Sequence, residues 1–132
     1  MVGTAIHFAG NCDVAISFYQ EVLGAEVIEI NYAKDAPAGN GMEELPPNFV
    51  MHSDILINGT VMHLTDGAQD FVPTSNYSFM VTKNTDDEVK VLYEKLLDGG
   101  KIVVELAPAF WSSMYGMVVD KFGVCWQVMT SE

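Results

Sequence analysis

Apolar and polar positions along the 132-residue chain fall into two short periodicities that alternate and then repeat. Val2 to Phe8 (VGTAIHF) is rich in apolar and β-branched residues, which predicts a strand ended by Gly10. From Cys12 to Leu23, Ala15, Phe18, Tyr19 and Val22 recur at helical spacing, with Asn11 placed to cap the helix and Gly24 to stop it. Glu26 to Tyr32 alternates as a second strand. Ala33 to Asn48 holds Pro37, Gly39, Asn40, Gly41, Pro46 and Pro47, loop chemistry long enough for a lid or an insertion. Phe49 to Ile57 and Thr60 to Thr65 then flank Asn58-Gly59, a strong short hairpin signal.

After a linker the order returns. Tyr77 to Thr82 reads as a strand, and Thr85-Asp-Asp-Glu88 as a capping box. The helix that follows carries Val89, Leu92, Tyr93 and Leu96 on one face and stops at Gly99-Gly100. Lys101 to Leu106 is the next strand, and a loop at Pro108 leads to a closing hairpin, Gly116 to Val119 and Val124 to Thr130, around an Asp120-Lys-Phe-Gly123 turn. Phe122 and Trp126 are placed to close a core. Gln127, one residue on, points to the opposite face. Tyr19 to Val27 (YQEVLGAEV) is echoed by Tyr93 to Val103 (YEKLLDGGKIV). The expected fold is α+β, with two βαβββ modules at 1–66 and 76–132 joined by a 67–75 linker, their curved mixed sheets surrounding a cleft. A module of that size leaves much of its sheet uncovered, so a homodimer is expected, with modules paired within or between chains.

Composition narrows the function. At 49% hydrophobic and 11% aromatic residues the chain is a packed globule rather than a disordered segment. Six Lys and Arg against eighteen Asp and Glu give a formal charge of −12, which opposes nucleic acid and anionic membrane as partners and is compatible with a cationic small molecule. The sequence contains neither a signal-peptide pattern nor a long apolar run, so a cytoplasmic location is expected. Cys12 and Cys125 are too few for a disulfide scaffold and are not spaced as a structural zinc site.

The repeated unit with its Phe18-Tyr19…Val22-Leu23-Gly24-Ala25-Glu26-Val27 signature resembles the vicinal-oxygen-chelate superfamily of glyoxalase I, extradiol dioxygenases and bleomycin-resistance proteins. Gly10-Asn-Cys12, Val50-Met-His52, Asn76-Tyr77-Ser78, Phe110-Trp111 and Val119-Asp-Lys-Phe-Gly123 followed by Trp126 are similar to its PhnB-like branch. That branch often carries a methyltransferase label, but no Gly-rich loop joins a first strand to a helix as a doubly wound nucleotide-binding unit requires. The resemblance implies that a metal enzyme would place one ligand on the first and last strand of each module. Here those positions fall on Thr4, His63, Tyr77 and Gln127. Only His63 is a strong ligand for a divalent ion, and Gln127 stands where a carboxylate is usual.

The resemblance and the residues together imply a small-molecule-binding protein that needs no cofactor. Its expected pocket comprises Thr4, His52, His63, Tyr77, Trp111, Tyr115 and Gln127. The alternative is a metal-dependent lyase, isomerase or dioxygenase acting on a small oxygenated metabolite, with the ion held by His63, His52 and Gln127. His52 either reaches His63 across adjoining strands or is a hydrogen-bonded strand residue. Trp111 either roofs a cavity or plugs the core. His7, out of phase with Thr4, is expected on the helix-packing side.

Overall fold

The computed structural model describes residues 1–37, 39, 41, 44–67, 72–74 and 76–131. Residues 38, 40, 42 and 43 of the 33–48 loop and residues 68–71 and 75 of the 67–75 linker lie outside them. The chain divides into two compact units, Met1–Phe71 and Val72–Glu132. The first contains β1 (Ala5–Phe8), α1 (Cys12–Leu23), β2 (Glu26–Tyr32), a short 3-10 turn (Ala33–Asp35), β3 (Val50–Ile57) and β4 (Thr60–Asp66). The second contains β5 (Phe79–Lys83), α2 (Asp86–Leu97), β6 (Lys101–Ala109), β7 (Ser112–Val119) and β8 (Cys125–Thr130).

Each unit is one four-stranded mixed sheet, in the orders β1-β4-β3-β2 and β5-β8-β7-β6. The first strand of each lies parallel to the last, and the remaining pairs are antiparallel. The two units are thus the same βαβββ design written twice, an α+β fold of the glyoxalase/bleomycin-resistance type.

Local chemistry accounts for the elements. Gly24 ends α1 in the left-handed region at φ 65°, and the Ala25 amide bonds the Tyr19 carbonyl at 3.1 Å. Asn58 and Gly59 both take positive φ, 47° and 91°, the two-residue turn whose twist matches the strands it joins. At α2, Thr85 Oγ1 accepts from the Glu88 amide at 3.2 Å, and its hydroxyl donates to Glu88 Oε1 at 3.0 Å. Val89, Leu92, Tyr93 and Leu96 form the buried face of that helix. On α1 the buried stripe is Cys12, Ala15, Ile16, Tyr19 and Leu23, while Phe18 and Val22 sit half-buried at its border.

The structure corrects four expectations. Asn11 occupies the N-cap position but makes no side-chain cap bond. Asp66, at the end of β4, takes its place. Its Oδ1 accepts from the amides of Gly10 (2.8 Å) and Cys12 (3.0 Å), and its Oδ2 from the Val50 amide (2.9 Å). One buried carboxylate therefore ties the helix start, β3 and β4 together. Pro108 lies inside β6 rather than in a loop. It is tolerated because β6 is an edge strand, where a missing N–H costs no ladder bond. The first strand begins at Ala5 and the fifth at Phe79, each later than expected. His7 is exposed, pairs with Thr65 and bonds Thr65 Oγ1 at 2.8 Å, so it does not face α1.

The closing turn is built on Asp120, 2% exposed. Its Oδ1 accepts from the amides of Phe122 (2.9 Å) and Val124 (3.0 Å), and its Oδ2 from Trp126 Nε1 (2.9 Å). Trp126, 1% exposed, packs on Phe79 in the core as its phase requires. The Asp-x-Phe-Gly-x-x-Trp spacing is thus a hydrogen-bonded unit, with Gly123 at φ 88° closing the turn.

Candidate functional site

In each sheet one face packs on its helix and the other is open. Ladder partners share a face, so the register sorts the residues. In the first sheet Ile6↔Leu64 and Ile55↔Met62 lie on the helix side, and Leu64, Ile55 and Met62 are buried. The open face carries Ala5↔His63, His7↔Thr65, Asp54↔His63, Glu29↔Asp54 and Asn31↔His52. All three histidines of the chain therefore lie on this one face.

His52 and His63 come together as one of the two readings of the sequence had it. Their ring centroids are 5.7 Å apart. Asp54, which sequence reasoning missed, stands between them: His63 Nδ1 is 2.7 Å and His52 Nε2 3.5 Å from Asp54 Oδ1. The signal was present. Residues 52 and 54 alternate onto one face, and counting outward from the Asn58-Gly59 turn sets 54 opposite 63. Thr4 precedes β1, in phase with Ile6 rather than with Ala5 and His7. Its carbonyl accepts the His63 amide at 3.0 Å, and its buried hydroxyl has no hydrogen-bond partner among the described residues.

In the second sheet Phe79↔Trp126, Val81↔Val128 and Gly116↔Val128 face α2. Gly116 must be glycine because a Cβ there would stand 2.5 Å from Tyr93 Cε2. The open face carries Met80↔Gln127, Met117↔Gln127 and Tyr115↔Met129. On it the Tyr115 hydroxyl donates to Gln127 Oε1 at 2.8 Å, and Gln127 Nε2 donates to Ser78 Oγ at 2.6 Å. Trp111, 44% exposed in the β6–β7 turn, meets Tyr115 edge to face at 5.2 Å, and Phe110 meets Trp111 at 4.8 Å. Tyr77 is 62% exposed, edge-on to Phe79. Ser78, noted only as part of the Asn76-Tyr77-Ser78 motif, and Met80 and Met117 are absent from the expected pocket, since their relevance depends on the ladder register.

These surroundings do not fit the four-ligand metal centre of the superfamily. Of its four positions only His63 offers a strong donor. The Gln127 carbonyl already accepts from Tyr115, and Thr4 and Tyr77 supply neutral hydroxyls. Neither cysteine substitutes as a thiolate ligand. Both are buried, and burial, aided by Asp66 and Asp13 beside Cys12 and by Asp120 beside Cys125, pushes their thiol pKa values up.

A family model described as 3-demethylubiquinone-9 3-methyltransferase matches residues 1–129. Protein YjdN of Escherichia coli K12 is 29% identical over 135 residues, covering 93% of this chain and 90% of YjdN. The structure of a PhnB protein from Bacillus cereus superposes with a TM-score of 0.81 at 26% identity, over 98% of each chain. The fosfomycin resistance protein FosX of Mesorhizobium loti shares the fold alone, with a TM-score of 0.69 at 9% identity over 100% of this chain and 91% of FosX. A family match that spans nearly the whole chain, on a duplicated βαβββ scaffold, shows that the chain belongs to the PhnB-like family described as 3-demethylubiquinone-9 3-methyltransferase, within the vicinal-oxygen-chelate fold.

Proposed function

We propose that this protein binds a small organic molecule on the open face of its second sheet and does so without the four-ligand metal centre of the superfamily. The carrying observation is the series Trp111, Tyr115, Gln127 and Ser78, in which an exposed aromatic edge leads into a fixed row of hydrogen-bonding groups. Met80, Met117 and Met129 flank that row with flexible, polarisable apolar surface, the combination that small-molecule sites use for affinity and orientation. The acidic balance of the chain favours a cationic ligand. Methyl transfer, which the family description names, is not part of this reading: neither sheet has the doubly wound order of a nucleotide-binding unit.

The test is tryptophan fluorescence during a screen of small cationic and zwitterionic metabolites and antibiotics. A true ligand changes the emission of the wild-type protein, and the change is lost in Trp111→Phe, because Trp126 is sealed in the core.

A further inference from the structure

The three donors on the first sheet raise a separate question of charge. Asp54 Oδ1 is shut off from water, yet no hydrogen bond from the described residues reaches it. His63 Nδ1 at 2.7 Å is within ion-pair range and His52 Nε2 stands at 3.5 Å, but neither contact is a hydrogen bond to that oxygen. A carboxylate oxygen left in that condition is costly, because it has given up water without a donor in exchange. The donor atoms of all three residues lie within 4.8 Å of one another. Metal–nitrogen and metal–oxygen bonds of about 2.0–2.2 Å at tetrahedral angles set neighbouring ligand atoms roughly 3.5 Å apart. Gathered but not hydrogen-bonded, the three groups have nearly the spacing of a chelate.

We propose that His52, Asp54 and His63 form a binding site for one borderline divalent transition-metal ion, of the Zn²⁺ or Co²⁺ class. Two imidazoles and one carboxylate suit such ions better than Mg²⁺ or Ca²⁺, which take oxygen. The site is preorganised, since all three ligands stand on one hairpin whose register the two-residue turn fixes. Glu29, the ladder partner of Asp54, adds negative charge alongside. The side chains of His52, Asp54 and His63 are 47%, 25% and 39% exposed, so one side stays open for a water or an oxygen of a small molecule. Two of the three ligands lie on β3, so this centre differs from the superfamily arrangement that the residues do not fit, and it shares no residue with the ligand site proposed on the second sheet.

The test is titration of the full chain with Co²⁺ and Zn²⁺. The proposal expects one ion per chain, with visible Co²⁺ ligand-field bands that disappear in Asp54→Asn and His63→Gln, and affinity at least about tenfold weaker in either variant. His7→Asn leaves the bands in place, since His7 is held by Thr65. Histidine ring NMR of the unaltered protein covers the case of a variant that fails to fold: Zn²⁺ shifts two of the three imidazoles and spares His7. Absent bands, binding indifferent to Asp54→Asn and His63→Gln, or equal loss in His7→Asn would each overturn the proposal. The tryptophan screen needs no metal, so either result leaves the other reading to stand or fall by itself.

Discussion

Two aspartates do most of the tying together. Asp66 and Asp120 each stand at a strand end and accept three hydrogen bonds, and both are nearly inaccessible to water. Asp120→Ala leaves two turn amides and the Trp126 indole N–H without an acceptor, and a buried donor so orphaned costs about 1–3 kcal/mol. The expected loss is about 3 kcal/mol in urea unfolding. Asp120→Asn keeps one carbonyl acceptor and loses less. Stability unchanged in Asp120→Ala would contradict this role. Sequence reading found the motif that contains Asp120 and placed Trp126 in the core, but not the carboxylate–indole bond between them. Asp66 was passed over in favour of Asn11 because a cap arriving from 54 residues away leaves no local spacing to read.

At the scale of elements, the two units solve the same joint with opposite polarity. In the first, the acceptor is on the strand: Asp66, ladder partner of Phe8, receives amides at the start of α1. In the second, the acceptor is on the helix: Asp86, in the first turn of α2, receives the hydroxyls of Ser113 and of Thr130, the ladder partner of Lys83. The Ser113 and Thr130 hydrogen bonds, in that order, hold the Asp86 carboxyl below its ordinary pKa. With the folded value depressed, the stabilisation is present above the unfolded pKa of about 3.9 and is lost as pH falls through the folded value. Wild type and Asp86→Asn should therefore differ in unfolding free energy at neutral pH and converge as pH falls below about 3.9. A gap that persists undiminished in acid would contradict the assignment.

Element order, both helices and the Asn58-Gly59 hairpin were legible in the sequence because their signals are local. The phase of β1 was not. The family resemblance put Thr4 at a ligand position, whereas the register is fixed by pairing with a strand nearly 60 residues away, which puts Ala5 and His7 on the open face. The candidate site follows the same division. His52, His63 and Gln127 could be singled out from residue type, while Asp54, Ser78 and Met80 emerge only when strands are set side by side.

For the whole molecule, charge and exposed surface bear on partners. No helix among the described residues is long and apolar enough to cross a membrane. The edge strand β6 exposes Ile102, Val103 and Val104, and an apolar edge of that length invites a second chain. It supports the reading of the protein as a homodimer. Sedimentation velocity should show twice the 14.5 kDa chain, shifting toward the single chain in Val103→Lys. A single 14.5 kDa species in the wild type would contradict it.

Trp111 offers the sharpest test of a ligand site on the open face of the second sheet. In a titration with a small molecule that the protein retains on equilibrium dialysis, the wild-type emission should change in proportion to occupancy, and Trp111→Phe, retaining only the buried Trp126, should show no change. Full retention of the signal in Trp111→Phe, or retention of the ligand with no response from the wild type, would place the bound molecule elsewhere and contradict the account.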